Sequence, residues 1–402
     1  MSNWLPDLSA HPGPKYRAIV EAIAADVAAR RLSPGTRLPT HRDLAWRLRV
    51  TVGTVARAYA EAERLGLLAG EVGRGTFVTD PERKDSGLGE YLSAAWTPGA
   101  GIINMAVNRP SGDQGAALVA PLLAQMARRA DLAQLLSYNL EAVAQRHRLA
   151  GCKWLVREGV EVTAAQVSVT AGSQQALVAA IATLTRPGDL ILAEEYTYPG
   201  FKSAVTLMGR SLAGVAMDDD GLIPDEVVRG CARGSRRIYP PARVHNPPTI
   251  TLSAERRRAI AEAARRHDAF IIEDGVHSFL DPAAPSPLWG HAPERVLYLT
   301  TLSKSVTPGL RCAFAAVPAT VKGRFDQAVG ALSLALPVPL LEVACQLIDD
   351  GSAHQAAERQ RRDALARLAL AGETLGIAGL RPAFNIWLPM APPWNSASFV
   401  AE

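Results

Sequence analysis

The sequence predicts an α/β protein: a mainly parallel sheet flanked by helices, preceded by a small helical head that ends in a hairpin. Three observations predict it. Over residues 15–78, apolar residues recur at helical spacing and then give way to two short strand-like pieces. After Ile102, short apolar runs alternate with Ala- and Arg-rich helical stretches, the pattern of strands joined by crossover helices. Between the two, residues 80–101 lose all periodicity and open with Pro81, Glu82, Arg83, Lys84, Asp85, Ser86 and Gly87, a linker composition. The expected domains are therefore a head at 1–79, a linker at 80–101 and a large domain at 102–402.

The bulk properties agree. A chain of 402 residues is long for one compact unit and comfortable for two or three. Its 48% hydrophobic and 20% charged residues suit a soluble protein with a large core. Apolar stretches such as Ile181 to Leu184 are too short to span a membrane, and no basic flank leads into an apolar run at the start, so the cytoplasm is the expected location. Cys152, Cys231, Cys312 and Cys345 have neither metal-ligand spacing nor a CxxC pair, which argues for reduced thiols. Net charge is +4, and residues 1–80, with 11 Lys+Arg against 8 Asp+Glu, hold +3 of it. That bias is compatible with a nucleic-acid-binding head without proving one.

In the head, Tyr16, Ile19, Val20, Ile23 and Val27 mark a helix over Lys15 to Arg30. Ser33-Pro34-Gly35 turns the chain, and Thr40 is placed to cap a helix from His41 to Leu48. A break at Arg49 to Thr51 leads to a second helix through Leu65, stopped by Gly66. Two pieces around Leu67-Leu68 and Thr76-Phe77-Val78 then form a hairpin. Two short helices with a tight break match a helix-turn-helix, whose second helix presents its first residues to base edges in the major groove. Those residues are Thr51, Val52, Gly53 and Thr54, with Arg57 one turn on. Arg42 is placed to reach a phosphate, and the tip at Gly73, Arg74 and Gly75 is the wing, its glycines allowing close backbone approach. On charge and periodicity alone, a structural three-helix cap with solvated arginines fits equally well.

In the large domain the candidate strands are Val167 to Thr170, Leu190 to Ala193, Ala269 to Glu273, Val296 to Thr300 and Cys312 to Val317, with helices such as Gln174 to Leu184 and Ala254 to His267 between them. In such sheets ligands bind beyond the carboxyl ends of strands. Three polar groups follow strands here. Lys304 is flanked by hydroxyls and has Arg311 seven residues on. Asp274 ends a strand, as an ordinary helix cap or as the partner of a buried cation. Ala171-Gly172-Ser173-Gln174-Gln175 joins a strand to a helix; a plain turn is the commoner outcome, an anion site the more informative one. Together they supply what pyridoxal phosphate (PLP) needs: a lysine for its aldehyde, a carboxylate for its ring nitrogen and a cup for its phosphate.

Two resemblances sharpen this. The string Lys15-Tyr16, Pro34 to Ala45, Val50-Thr51, Thr54-Val55, Ala58-Tyr59, Leu65 to Leu68 and Gly73 to Val78 resembles the GntR family of bacterial winged-helix regulators. Family members often carry Arg where this chain has Val52. The ordered set Gly172 to Leu177, Pro187-Gly188-Asp189, Glu195 with Tyr198-Pro199-Gly200, Asn246-Pro247, Glu273-Asp274 and Ser303-Lys304 with Pro308 to Arg311 is similar to aminotransferases of fold type I. The whole chain, over roughly residues 14 to 390, resembles the MocR subfamily of GntR regulators. The resemblance implies a winged helix-turn-helix fused to an aminotransferase-like PLP domain. It implies that Lys304 forms the internal aldimine, Asp274 pairs with the pyridine nitrogen, Asn246 hydrogen-bonds the ring oxygen and Tyr198 stacks on the ring. Gly172, Ser173, Gln174, Thr301, Ser303 and Arg311 would line the phosphate site, with Tyr138 reaching in from the second subunit of a homodimer.

Three departures stand out. His277 replaces a tyrosine that donates to the ring oxygen, and an imidazole titrating near neutrality would make the site pH-dependent. Asn246-Pro247-Pro248-Thr249 replaces Asn-Pro-Thr-Gly, so the turn must differ, because proline fixes φ. The small domain is expected to be incomplete after Ala383 to Leu388, without the arginine that usually clamps a substrate carboxylate; Arg381 and Arg109 are the substitutes on offer. The expected function is a transcriptional regulator that binds a double-stranded DNA operator and senses an amino acid or amine through external aldimine formation at Lys304. A working aminotransferase with a fused head, and a PLP-free dimerisation scaffold, are the alternatives.

Overall fold

The computed structural model describes residues 4–8, 11, 13–29, 31–33, 35–64, 67–71, 75–78, 108–110, 112, 114–138, 145–240, 243–388 and 390. It divides into two compact units, Met1–Trp96 and Thr97–Glu402. The expected linker at 80–101 lies outside the described residues.

The head consists of helices α1 (Lys15–Ala28), α2 (His41–Leu48) and α3 (Val52–Arg64), followed by strands β1 (Leu68–Glu71) and β2 (Gly75–Val78), which pair antiparallel. Ile19, Ile23, Leu44, Val55, Tyr59, Leu68 and Val78 form one core, so each helix buries the stripe its apolar spacing marks. The Thr40 hydroxyl accepts from the Asp43 N–H at 3.2 Å, the expected cap. Arg49 adopts φ 51° between α2 and α3, a left-handed residue that makes the break tight. Tyr59 is buried, and its hydroxyl donates to the Pro39 carbonyl at 2.9 Å, so its polar tip is satisfied.

The large unit is built on a seven-stranded sheet in the order β3-β11-β10-β9-β8-β4-β5. The strands are β3 (Val167–Thr170), β4 (Leu190–Glu194), β5 (Ser211–Val215), β8 (Arg237–Tyr239), β9 (Phe270–Asp274), β10 (Val296–Thr301) and β11 (Ala313–Ala316); β6 (Met217–Asp218) and β7 (Gly221–Leu222) form a separate ribbon. Neighbours from β5 to β10 run parallel, and β11 runs antiparallel to both β10 and β3. The side-chain period of two sends alternate residues to opposite faces. In β10, Val296 and Tyr298 join one core while Leu297 and Leu299 join the other. Both faces are therefore covered, which is why these strands read as continuous apolar runs. All five strands expected from the sequence are present. Missing from that expectation were β5, whose Ser211 and Gly214 are exposed at the sheet edge, and β8, only three residues long.

Beneath the carboxyl end of the sheet lies a buried charge cluster. Arg257 and Glu273 are both fully buried and stand 3.2 Å apart, and Glu273 also accepts from the N–H groups of Leu288 and Trp289. Nearby, Glu158 accepts from the hydroxyls of Tyr298 and Thr300, both at 2.8 Å. Burial pushes both carboxyls up to about 7, against the pull of their partners. Removing one member of such a pair strands the other. Arg257→Leu should therefore destabilise the large unit by about 3–5 kcal/mol, and adding Glu273→Leu should recover much of the loss; chemical denaturation followed by near-UV circular dichroism checks both.

Candidate cofactor site and DNA-reading face

The site collects at the carboxyl ends of the strands. Asp274 closes β9 beside Leu299 of β10. Its Oδ2 accepts from the Tyr239 hydroxyl at 2.7 Å and its Oδ1 from the Val276 N–H at 3.2 Å. Burial raises the Asp274 pKa, while Tyr239, the Val276 N–H and the charge of Lys304 pull it back down. Tyr239 itself ends β8, with its ring stacked on Phe201 at a centroid distance of 3.6 Å. Sequence reasoning missed Tyr239 because β8 carries no alternation long enough to show which residue reaches the strand end.

Lys304 sits in the connection from β10 to β11 and donates from Nζ to the Asn108 carbonyl at 2.5 Å. Its pKa falls to about 8, first through burial and then through the positive charge of Arg109, with Asp274 opposing. An amine so shifted is partly neutral, and hence nucleophilic, near physiological pH. His277 differs from expectation. Burial, helped by the charge of Lys304, pushes it down to about 3, so it stays neutral throughout the physiological range and does not titrate near neutrality. Its Nε2 is buried without a partner, and the Phe384 ring stands edge-on to it at 6.0 Å.

An anion cup lies at the start of helix Ser173–Leu184. Gly172 has φ 96°, and a Cβ there would collide with the Arg311 guanidinium, which in turn donates to the Ala171 carbonyl at 2.9 Å. Only glycine fits both the backbone and the arginine. Thr301 and Ser303 exchange a hydroxyl contact at 3.0 Å, and Thr301 also donates to the Cys312 carbonyl at 2.8 Å. Gln174 donates to the Gly200 carbonyl at 2.9 Å, while its Oε1 and the hydroxyl of Ser305 are buried without partners. Ser305 was not singled out from the sequence, where it was one hydroxyl among several around Lys304. Buried polar groups are normally paired, so the orphaned atoms of Ser305, Gln174 and His277 suit a polar ligand. A helix N-terminus, an arginine and hydroxyls suit a phosphate. The residues present therefore fit PLP.

The remaining expected residues are less tightly joined. Tyr198 precedes helix Pro199–Leu207, lies against Gly200, and its charge is felt by the Tyr239 hydroxyl. Asn246 is half-buried and precedes a cis bond to Pro247; the altered turn closes through Thr249, at φ 62°, whose N–H donates to the His245 carbonyl at 2.7 Å. Asn385 donates to the Pro247 carbonyl at 2.6 Å. Tyr138 is 79% exposed and touches none of this. Arg381 approaches the Asp219 carbonyl at 3.4 Å, beside the β6–β7 ribbon.

In the head, Arg42, Thr51, Val52, Gly53 and Arg57 are exposed, and Thr54 is half-buried. Thr51 caps α3: its hydroxyl accepts from the Thr54 N–H at 3.2 Å and meets the Thr54 hydroxyl at 2.8 Å. Arg57 is held over the Tyr16 ring at 4.0 Å, which ties it to α1. Arg74 lies outside the described residues. Gly75 has φ 119°, and a Cβ there would stand 2.8 Å from Nε of Arg37, an exposed arginine at the wing that the sequence had not flagged.

A head of this kind joined to a sheet of this kind defines a DNA-binding regulator with an aminotransferase fold. The chain belongs to the aminotransferase class I and II family, matched over residues 100–371, and its head matches the bacterial regulatory proteins of the gntR family over residues 15–78. It is a transcriptional regulator of the MocR type. The HTH-type transcriptional regulator YdeF of Bacillus subtilis is 28% identical over 99% of this chain and 86% of its own length. The pyridoxine biosynthesis regulator PdxR of Corynebacterium glutamicum is 26% identical over 89% of this chain and 78% of its own. Among solved structures, an archaeal alanine:glyoxylate aminotransferase shares the fold with a TM-score of 0.66 at 21% identity, over 85% of this chain and 86% of its own.

The shifted lysine gives a direct test. The neutral amine is the reactive form, so a lowered pKa moves reactivity to lower pH. In the cofactor-free chain, acylation of Lys304, followed by peptide mapping, should have its midpoint near pH 8, below that of surface lysines; a midpoint at the ordinary lysine value would contradict the buried placement.

Proposed function

We propose that the large domain holds PLP on Lys304 and that an amino acid or amine, by taking the place of Lys304, changes how the paired heads engage an operator. The observation that carries this reading is the buried juxtaposition of Lys304 and Asp274, in a chain whose Arg311 and Gly172 build an anion cup. When bound, PLP supplies an electrophilic carbon and an electron-withdrawing ring. The chain's own residues do the rest. Asp274, fixed by Tyr239, would hold a proton on the ring nitrogen. Asn246 and the neutral imidazole of His277 would face the ring oxygen, and Tyr198 would cover the ring. Gly172, Ser173, Gln174, Thr301, Ser303 and Arg311 would take the phosphate. Tyr138, largely exposed in one copy, would complete the phosphate site of a second copy in a homodimer. Regulation of this kind requires the effector to bind two conformations with different affinity. We place this activity in the cytoplasm, with the operator.

For the head, α3 would enter the major groove of double-stranded DNA with Thr51, Thr54 and Arg57 near base edges. Arg42, Arg74 and Gly75 would meet the phosphate backbone. A working aminotransferase would use the same lysine and aspartate; sustained conversion of an amino donor and a keto acid would favour that reading.

Two measurements test the proposal. With PLP added, the purified chain should show a visible band that borohydride abolishes and that Lys304→Ala lacks, while Lys304→Ala keeps its basal operator affinity. Loss of both together would make the cofactor a structural element and not a sensor. On operator DNA, Arg42→Ala should weaken binding across sequences and reduce the slope of log affinity against log salt by about 1, as loss of one phosphate contact does. An unchanged slope in fluorescence anisotropy would move Arg42 off the backbone.

A further inference from the structure

We infer that Arg109 binds the carboxylate of the effector, so that the regulator answers to amino acids in preference to amines without a carboxylate. This rests on the proposed reading of Lys304 as the residue an incoming amine displaces.

The segment that carries Arg109 is pinned along the Lys304 connection at two points. The Asn108 carbonyl accepts from Lys304 Nζ at 2.5 Å. A few residues on, Gly115 in helix Gln114–Met126 is so close to that connection that a Cβ would stand 2.6 Å from Thr307 Cβ and 3.0 Å from the Val306 carbonyl. Arg109 is thus one residue, about 3.8 Å of chain, from the group that holds the lysine amine. It is exposed, as a residue at the mouth of a site must be to meet an incoming molecule.

The charges point the same way. Arg109 opposes the protonated form of Lys304 more strongly than Asp274 supports it. Asp274 is committed to Tyr239 and the Val276 N–H. Two cations therefore face one buried acid that is already engaged, and an anion entering beside them relieves the imbalance. The α-carboxylate of an amino acid lies two bonds from its nitrogen, so an amine placed where Nζ now stands brings its carboxylate to this spot. A guanidinium matches a carboxylate with two parallel hydrogen bonds. Neither of the other arginines considered serves this end: Arg311 lies over Gly172 at the anion cup, and Arg381 meets the Asp219 carbonyl.

The full chain loaded with PLP would be titrated with matched pairs, L-alanine against ethylamine and L-phenylalanine against phenethylamine, following the visible band. Arg109→Gln should raise the half-saturating concentration of both amino acids ~10-fold or more and leave both amines within ~2-fold. Arg109→Lys should recover part of the amino-acid response. In the cofactor-free Arg109→Gln chain, the midpoint of Lys304 acylation should rise above about 8, since a like charge has been removed. Equal shifts for amino acids and amines, or no shift for the amino acids, would overturn the assignment of Arg109 while leaving Lys304 in place. An unsubstituted chain that answers to neither probe class would overturn the displaced-lysine reading, and this one with it.

Discussion

A buried acid beside a buried amine is the constraint on which the large domain turns. Neither Asp274 nor Lys304 is comfortable out of water, and each is moved from its ordinary pKa by burial. Each is made tolerable by the other's charge and by neutral partners: Tyr239 and a backbone N–H for the acid, the Asn108 carbonyl for the amine. The fold supplies these partners because β8, β9 and β10 are adjacent and parallel, so their ends arrive at one place. Tyr298 extends the arrangement downward. Its hydroxyl joins Glu158 and Ser278 and lies so close under Gly275 that a side chain there would collide with it. The loop carrying Asp274 and His277 therefore rests on a polar floor instead of an apolar one.

The head obeys a different economy. Its stability comes from one small apolar core, and its reading face is left to short polar side chains with few commitments. Thr51 is an exception, since it caps the helix it was expected to read with. Arg57 is another, because the Tyr16 ring fixes where its charge sits. An exposed Val52 at the first position of α3, 46% accessible, leaves an apolar side chain where relatives often carry arginine. Affinity for DNA would then lean on the flanking arginines, among which Arg37 at the wing joins those visible from sequence.

Much of this was legible in the amino-acid order, for physical reasons. Strands buried on both faces announce themselves as apolar runs, so β3, β4, β9, β10 and β11 were plain. Thr40 was legible as a cap because capping needs a particular oxygen at a particular position. The catalogue of polar residues after strands was legible too, once taken in order and not singly. What escaped was what depends on packing in three dimensions. Tyr239 gave no signal because a three-residue strand has no pattern. His277 was expected to titrate near neutrality because its burial is a property of the folded site. Sequence left Arg109 and Arg381 level as candidates; their separation came from which neighbours each one meets.

The antiparallel course of β11 carries one more consequence. Lys304 and Arg311 lie on a single excursion of chain whose two ends are tied together, Thr301 facing Ala313 across the ladder and bonding to the Cys312 carbonyl. That excursion acts as a gauge. It sets the span between an amine at one end and an anion-binding cation at the other, and so measures the length of whatever lies between them. Adding or deleting a residue within it would leave both groups present and the fold intact, yet the chain would be calibrated to a molecule of the wrong size.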